Sequence, residues 1–130
     1  MKIQTEPFGK EYDWRNYASI TELSYALSGL RLVVSAPIDK DDYVEIFFPD
    51  VQAFQVLREN DYLEYWKHSG FRSNHLIYKM ICGGWRDRVG SNYLQITNAY
   101  KDDYSEWLII GTEDCVNVVS ASEPLVRNFE

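Results

Sequence analysis

The chain has 130 residues, of which 45% are hydrophobic and 15% aromatic, and its formal net charge is -7. This length fits one domain and the apolar content excludes intrinsic disorder, so we expect a single domain over residues 1–130 with its own core. The acidity disfavours nucleic acids and anionic membranes as partners, because like charges repel.

The compartment is predicted from what the sequence does not contain. Its first residues lack the apolar stretch of a secretory signal, and no run approaches the roughly 18 apolar residues that span a bilayer. We therefore expect a cytoplasmic protein. Cys82 and Cys115 lie in apolar runs, and disulfides are rare in the cytosol, so both are predicted to be free thiols in the core.

Alternating apolar and polar residues predict strands through the first half of the chain. The predicted strands are at residues 20–27, 30–36, 43–48 and 51–57. Ser28 and Gly29 form a tight turn between the first two, Pro37 ends the second, and Pro49 with Asp50 turns the chain before the fourth. Neighbouring runs joined by such short turns are typical of an antiparallel meander.

A short helix is predicted next, over residues 61–68. Asp61 can cap its first turn, Glu64 stands three residues later at the capping-box spacing, and Gly70 is placed to end it.

The second half of the chain again favours strands. They are predicted at residues 75–82, 93–97, 107–110 and 115–119. Gly83 and Gly84 indicate a bulge or sharp turn, residues 111–114 form a hairpin loop, and residues 122–124 are expected to be irregular. The predicted fold class is α+β and mainly antiparallel β, with a meander-like sheet of about six to eight strands and one or two short helices.

Charge is distributed unevenly along the chain. Residues 67–88 contain five basic side chains and one acid, a local balance of +4, so the remainder carries -11. An acidic surface of this kind steers positively charged partners towards the protein, although it also serves solubility alone.

Catalytic and metal-binding motifs are not recognisable in this sequence. His68, His75 and Lys67 could supply acid–base cleavage of RNA, or they could be polar surface residues beside a helix end. Residues 39–42 are acidic enough for calcium, but Val44 occupies the position where an EF-hand loop needs glycine. The chain has no CxxC, HExxH, phosphate-binding loop or GxSxG motif. We expect no enzyme activity, no metal and no cofactor.

Acidic residues and aromatic residues cluster together at three places. The clusters are Asp39, Asp41, Asp42 and Tyr43; Glu59, Asp61, Tyr62, Glu64, Tyr65 and Trp66; and Tyr100, Asp102, Asp103, Tyr104, Glu106 and Trp107. Tyrosine and tryptophan are enriched at binding hot spots, and carboxylates accept charge-assisted hydrogen bonds from arginine and lysine. Helical spacing favours a core position for Trp66, and Trp107 opens an apolar strand.

Two acidic loops are therefore the predicted partner-binding sites. One contains Asp39, Asp41 and Asp42, and the other contains Asp102, Asp103 and Tyr104. Such a surface suits a basic protein, for example a nuclease whose cleft binds phosphate.

Five segments resemble small immunity proteins of bacterial contact-dependent inhibition and related polymorphic toxin systems. They are residues 30–37, 43–48, 61–66, 106–110 and 113–116. The resemblance implies a cytoplasmic single domain that binds and neutralises a cognate toxin domain, often a nuclease, and does no chemistry itself. Two alternatives remain, namely a small RNA-cleaving or hydrolytic enzyme and a β domain that binds a small ligand in a cavity lined by Tyr and Trp.

Overall fold

The computed structural model describes residues 2–58, 69–89, 94–95 and 99–130. Within these ranges the chain forms nine strands and one short α-helix, α1 (Trp85–Val89). The strands are β1 (Gln4–Glu11), β2 (Ser19–Ala26), β3 (Gly29–Ser35), β4 (Tyr43–Phe48), β5 (Val51–Arg58), β6 (His75–Cys82), β7 (Ser105–Ile110), β8 (Asp114–Ser120) and β9 (Leu125–Phe129).

The strands divide between two antiparallel sheets. One has five strands in the order β1-β6-β7-β8-β5, and the other has four in the order β2-β3-β4-β9. The prediction of a mainly antiparallel β fold is confirmed. Two of the short turns that the sequence indicated join antiparallel neighbours, β2 with β3 and β7 with β8. β3 also pairs with β4, and β6 pairs with β7 across the 22 residues that separate them in the chain.

The prediction of one meander-like sheet is too simple, because β4 and β5 do not pair. Pro49 and Asp50 carry the chain from one sheet to the other, where β5 pairs with β8. A crossing at this point lets each sheet cover an apolar face of the other. The edge strands β1 and β9 were not predicted, since β1 is polar and contains Pro7 and Gly9, and β9 has only five residues.

A core between the two sheets holds them together. Its strand residues are Leu30, Leu32, Val34, Val44, Ile46 and Phe48 from the four-stranded sheet, and Ile77, Trp107, Ile109, Val116 and Val118 from the five-stranded sheet. The ring of Trp107 lies 5.1 Å from that of Phe8 in β1 and 6.3 Å from that of Phe48 in β4. Replacing a buried Trp by Ala costs about 3–5 kcal/mol, so Trp107 contributes strongly to joining the sheets.

The other face of the five-stranded sheet is also buried. Side chains alternate along a strand, so Leu108 faces away from Trp107 and belongs to a second apolar cluster with Tyr78, Met80 and Cys115. Both cysteines are free, as predicted. Cys115 is fully buried, which confirms its core position, whereas Cys82 is only half-buried and lies outside the core.

Gly83 and Gly84 form the sharp turn that the sequence indicated, and it opens α1. Gly83 has a φ of +79°, which a side chain would strain. A Cβ on Gly84 would lie 2.1 Å from Oε2 of Glu106. The buried Glu106 carboxylate accepts hydrogen bonds from the backbone N–H groups of Trp85 (2.7 Å) and Arg86 (2.8 Å). Gly84 therefore lets a carboxylate of β7 hold α1 against the sheet.

The predicted helix over residues 61–68 lies outside the described residues, and so does most of the predicted strand over residues 93–97. The two described residues of that range, Leu94 and Gln95, are not in a strand, and Leu94 has a φ of +52°, which an extended strand does not use. The strand prediction is therefore wrong at these two residues. No helix in the described ranges has the length and apolar composition needed to cross a membrane.

Candidate functional site

The two predicted acidic loops lie at opposite ends of the sandwich. Residues 36–42 precede Tyr43, where β4 begins. Residues 100–104 precede Ser105, which pairs with Ser120, and Ser120 pairs with Val51 just after β4 ends. The six residues of β4 separate these ends by about 20 Å of extended chain. One flat partner surface would therefore contact one loop or the other.

Four segments of the chain meet at the first end. The backbone N–H of Thr112 in the β7–β8 hairpin donates to the carbonyl of Ala18 at 2.7 Å, just before β2. The backbone N–H of Ala36 donates to the carbonyl of Asp42 at 2.9 Å, and Tyr43 pairs with Phe129 at the end of β9. We call this surface the acidic end; it comprises residues 12–18, 36–43, 111–114 and 129–130.

The aspartates of the loop at residues 36–42 have no cation partner among the described residues. No ion pair joins Asp39, Asp41 or Asp42 to any other described residue. The one lysine of the loop, Lys40, lies 3.9 Å from the Asp13 carboxylate, which adds a further acid to the same surface. Asp39 and Asp41 are exposed and Asp42 is half-buried, and none of the three carboxylates has an ion-pair partner in the described chain.

Exposed apolar side chains lie among these acids. Ile38 is 97% exposed and Tyr17 is 72% exposed. The ring of Tyr43 stacks on that of Phe129, with centroids 4.5 Å apart and planes 9° from parallel, and Tyr43 is still 37% exposed. Apolar area surrounded by charge is the composition of a protein-binding surface.

The acidic end contains a groove of about 510 Å³. Asp41, Asp42 and Ile38 line one side, and the hydroxyls of Ser19, Thr21 and Ser35 lie along the sheet. None of its lining residues is basic. A second groove, of about 340 Å³ between β1 and β9, is lined mainly by apolar side chains and contains Lys10 but no carboxylate. Only the first of these grooves suits a cationic group.

Tyr12 lies beneath the acidic end and ties it to β9. Its hydroxyl donates to Oδ1 of Asn128, and its backbone N–H donates to the carbonyl of Asn74 at 2.8 Å. Burial raises the pKa of this phenol, and the nearby Glu130 carboxylate raises it further. Tyr12 therefore stays a neutral hydrogen-bond donor that supports the surface without adding charge.

Acids on the outer face of the four-stranded sheet are paired within the protein. Nη1 of Arg31 lies 2.7 Å from Glu22, and Nη2 lies 3.0 Å from Glu45. Arg127 lies 3.8 Å from the same Glu45 carboxylate. These cross-strand contacts neutralise the face, so on this sheet the negative charge available to a partner belongs to the loops rather than to the strands.

The second predicted loop has a different charge environment. Asp102 and Asp103 form no ion pair with any described residue, yet Nη1 of Arg86 donates to the carbonyls of Lys101 (3.4 Å) and Tyr104 (3.1 Å). Two cations, Arg86 and Lys101, lie at this loop, but their ion-pair partners are Glu106 (3.8 Å) and Asp87 (3.7 Å), and Tyr104 is half-buried. Cations therefore lie near this loop without pairing with its two aspartates, which sequence reasoning did not anticipate because Arg86 is remote in the chain.

The three acidic-aromatic clusters are not equivalent in the fold. The cluster at residues 59–66 lies outside the described residues. In the third cluster, Trp107 and Glu106 are buried while Tyr100 is 59% exposed. The expected core position of Trp107 is confirmed. Glu106 is structural, because it caps α1 and lies 3.8 Å from the Arg86 guanidinium.

His75 has structural partners, and His68 and Lys67 lie outside the described residues. The hydroxyl of Ser73 lies 2.8 Å from Nδ1 of His75 and 2.8 Å from the hydroxyl of Tyr78. The nearest carboxylate oxygen, on Glu11, is 3.9 Å from the same Nδ1. A serine triad needs the acid and the nucleophile on different ring nitrogens, so this arrangement does not form one.

Metal-binding groups do not converge in the described part of the chain. No three His, Cys, Asp or Glu side chains there are placed to share an ion. This includes Asp39, Asp41 and Asp42, whose carboxylates line a surface rather than enclose a cation.

Sequence reasoning missed several contributors to the acidic end. Tyr17 and Ile38 became visible as surface residues only when the fold placed them beside the acids. Their apolar character alone favoured the core. A usable signal was present for Ile38, because it stands between Pro37 and Asp39 in a polar loop.

No family model, curated protein or solved structure matches this chain.

Proposed function

We propose that the chain is an immunity protein that binds a cognate toxin domain, a basic nuclease, through the acidic end. The observation that carries the proposal is the uncompensated loop of Asp39, Asp41 and Asp42 beside exposed Ile38 and Tyr43. The resemblance of the sequence to immunity proteins of polymorphic toxin systems supports the same reading. The protein acts in the cytoplasm, without catalysis and without a cofactor.

Charge complementarity is the physical basis of the proposed capture. A nuclease cleft is positive because it binds phosphate, so an acidic surface is attracted to it over a range of about 10 Å at 0.1 M salt. Complementary charges raise association rates above the usual 10⁵–10⁷ M⁻¹s⁻¹, roughly towards 10⁸ M⁻¹s⁻¹. Rapid capture is what an immunity protein needs, because a free toxin acts during any delay.

The exposed apolar residues supply the second requirement, which is slow dissociation. Solvent-exposed charges alone contribute little affinity, whereas Tyr side chains buried at an interface centre are frequent hot spots. Tyr17, Ile38 and Tyr43 lie on the same surface as the acids. The charges that attract the partner and the apolar side chains that it would bury are therefore at the same site.

The test is protection of growing cells. The toxin candidate is the protein encoded by the gene adjacent to this one, expressed from an inducible promoter. Co-expression of the wild-type chain should restore growth, and the two proteins should co-purify. The proposal is wrong if the neighbouring protein is toxic and the chain neither restores growth nor co-purifies with it.

A further inference from the structure

The edge strand β2 borders the groove of the acidic end. Within the described residues, β2 pairs only with β3, so its other side is an open edge of the four-stranded sheet. Six of its eight residues are exposed. An open edge presents unpaired backbone donors and acceptors, which another extended chain can join.

The other sheet edges are better protected against such pairing. β1 contains Pro7 and Lys10, and its register with β6 shifts twice. β9 has five residues and carries Arg127. β5 is more covered, with three exposed residues of eight. Proline, cationic residues, short length and irregular register all block edge pairing. β2 has no proline or cationic residue, and its one register shift lies near its start, between Ile20 and Glu22, so the rest of the strand is regular.

The open backbone groups of β2 can be assigned from its hairpin. Ala26 pairs with Gly29 across a two-residue turn. In such a hairpin the closing pair is hydrogen-bonded and the next pair is not, in alternation. The backbone groups of Tyr25 and Leu23 therefore point away from β3, towards the open edge.

We infer that the partner docks an extended, basic segment as an additional strand on β2, with a cationic side chain in the groove at Asp41 and Asp42. Ser19 and Thr21, at the start of β2, line this groove, so a strand that follows β2 passes directly over it. Backbone pairing supplies affinity, and the groove selects the cation. The inference rests on the proposed function, since it describes how the same partner binds.

Charge decides between a basic partner and a second copy of this chain. Pairing two copies of β2 would bring together two chains that each carry a net charge of -7. The only charged residue of β2 is Glu22, so the strand itself offers no cation to a second copy. A basic segment meets neither difficulty.

The experiment measures backbone amide exchange by NMR. The probe is a short, end-capped peptide of alternating arginine and valine, and its control has glutamate in place of arginine. The basic peptide should slow exchange of the Leu23 and Tyr25 amides at least about tenfold, because a hydrogen bond must then open first. The glutamate peptide should leave both amides unchanged.

Two variants with the same change in charge locate the groove. Asp41 has a φ of +57°, a conformation that Asn tolerates, so Asp41→Asn with Asp42→Asn removes charge without backbone strain. This variant should lose the protection of Leu23 and Tyr25. Asp102→Asn with Asp103→Asn should retain it.

Several results would overturn the inference. They are unchanged exchange of both amides up to about 1 mM peptide, protection confined to another strand, or equal protection in the two variants. The failure of the proposed function looks different. If growth rescue fails while the peptide protects β2, the edge site stands and the toxin partner is wrong. If the neighbouring protein is neutralised while Leu23 and Tyr25 stay unprotected in the complex, strand addition is wrong and the proposed function stands.

Discussion

The rings of Tyr43 and Phe129 stack in parallel, with centroids 4.5 Å apart. Tyr43 is the first residue of β4 and pairs with Phe129 near the end of the chain. The contact therefore fixes the acidic loop of residues 36–42 to the last strand. It also places an exposed ring beside Asp42, so one pair of side chains serves both the stability and the shape of the proposed binding surface.

The Tyr43–Phe129 contact should be measurable as a coupling free energy. In a double-mutant cycle, the loss in free energy of unfolding of the Tyr43→Ala, Phe129→Ala double variant should differ from the sum of the two single losses by about 0.5–1.5 kcal/mol, the usual value for an aromatic pair. Urea unfolding of the four proteins gives this number. Tyr25→Ala with Phe129→Ala is the control, because Tyr25 contacts Phe54 instead. Additivity in the Tyr43 cycle would mean that the stack contributes nothing.

Gly84 should be required because the Glu106 carboxylate occupies the space of a side chain. Gly84→Ala places a Cβ 2.1 Å from Oε2, so the carboxylate must move away from the N–H groups of Trp85 and Arg86. We expect a loss of about 1.5–3 kcal/mol in the free energy of unfolding. In a Glu106→Ala background the same substitution should cost less than about 1 kcal/mol. Equal costs in the two backgrounds would show that the carboxylate is not the obstacle.

Ionisation of Glu106 should make the stability depend on pH. Burial raises the pKa of this carboxyl, and the nearby Asp87 carboxylate raises it further. The backbone hydrogen bonds from Arg86 and Trp85 and the positive charge of the Arg86 guanidinium lower the pKa, but they do not cancel the effect of burial. The native state therefore keeps its proton to a higher pH than the unfolded state, whose Glu pKa is about 4.3. Native protein binds more protons in this window, so stability falls as pH rises from about 4.3 through the raised pKa.

Glu106→Gln removes that titration and provides the comparison. Stability of the variant, measured by urea unfolding between pH 4 and 8, should decline less than that of the wild type over the same window. A variant with the same decline would assign the pH dependence to other carboxyl groups.

The two cysteines should differ in reactivity. Burial raises the pKa of the Cys115 thiol, and the neighbouring Asp114 raises it further, so little of the reactive thiolate forms. Cys82 is half-buried. A colourimetric thiol reagent should label one cysteine rapidly in native protein and both in denaturant, and Cys82→Ser should abolish the rapid reaction. Rapid labelling of Cys115 would contradict its position in the core.

Strands with alternating apolar residues were predictable, and their assembly was not. β4 coincides with the predicted residues 43–48, because Val44, Ile46 and Phe48 alternate with partly exposed residues. The crossing at Pro49 depends on which apolar faces cover one another, and that is a property of the whole chain. β1 was missed since it contains Pro7 and Gly9, which local propensity counts against a strand.

The candidate site was predictable as residues but not as a surface. Asp39, Asp41 and Asp42 were identified from composition alone, and they form no ion pair with the described chain. The sequence could not show that Asp102 and Asp103 lie on a different surface from Asp39, Asp41 and Asp42. Tertiary contacts decide this, because the fold separates the two loops and places Arg86 beside the loop of Asp102 and Asp103. The prediction that Asp102, Asp103 and Tyr104 bind the partner remains a prediction, and the same pair of variants tests it.

The rate of association with the neighbouring-gene protein, measured by stopped-flow at several salt concentrations, decides whether the acidic end is the docking surface. Asp41→Asn with Asp42→Asn should slow association several-fold at low salt and flatten its salt dependence, while dissociation changes little, as expected for removal of steering charge. Asp102→Asn with Asp103→Asn changes the net charge equally and should leave the rate near that of the wild type. If the second pair slows association and the first does not, the partner binds at the other end of the sandwich.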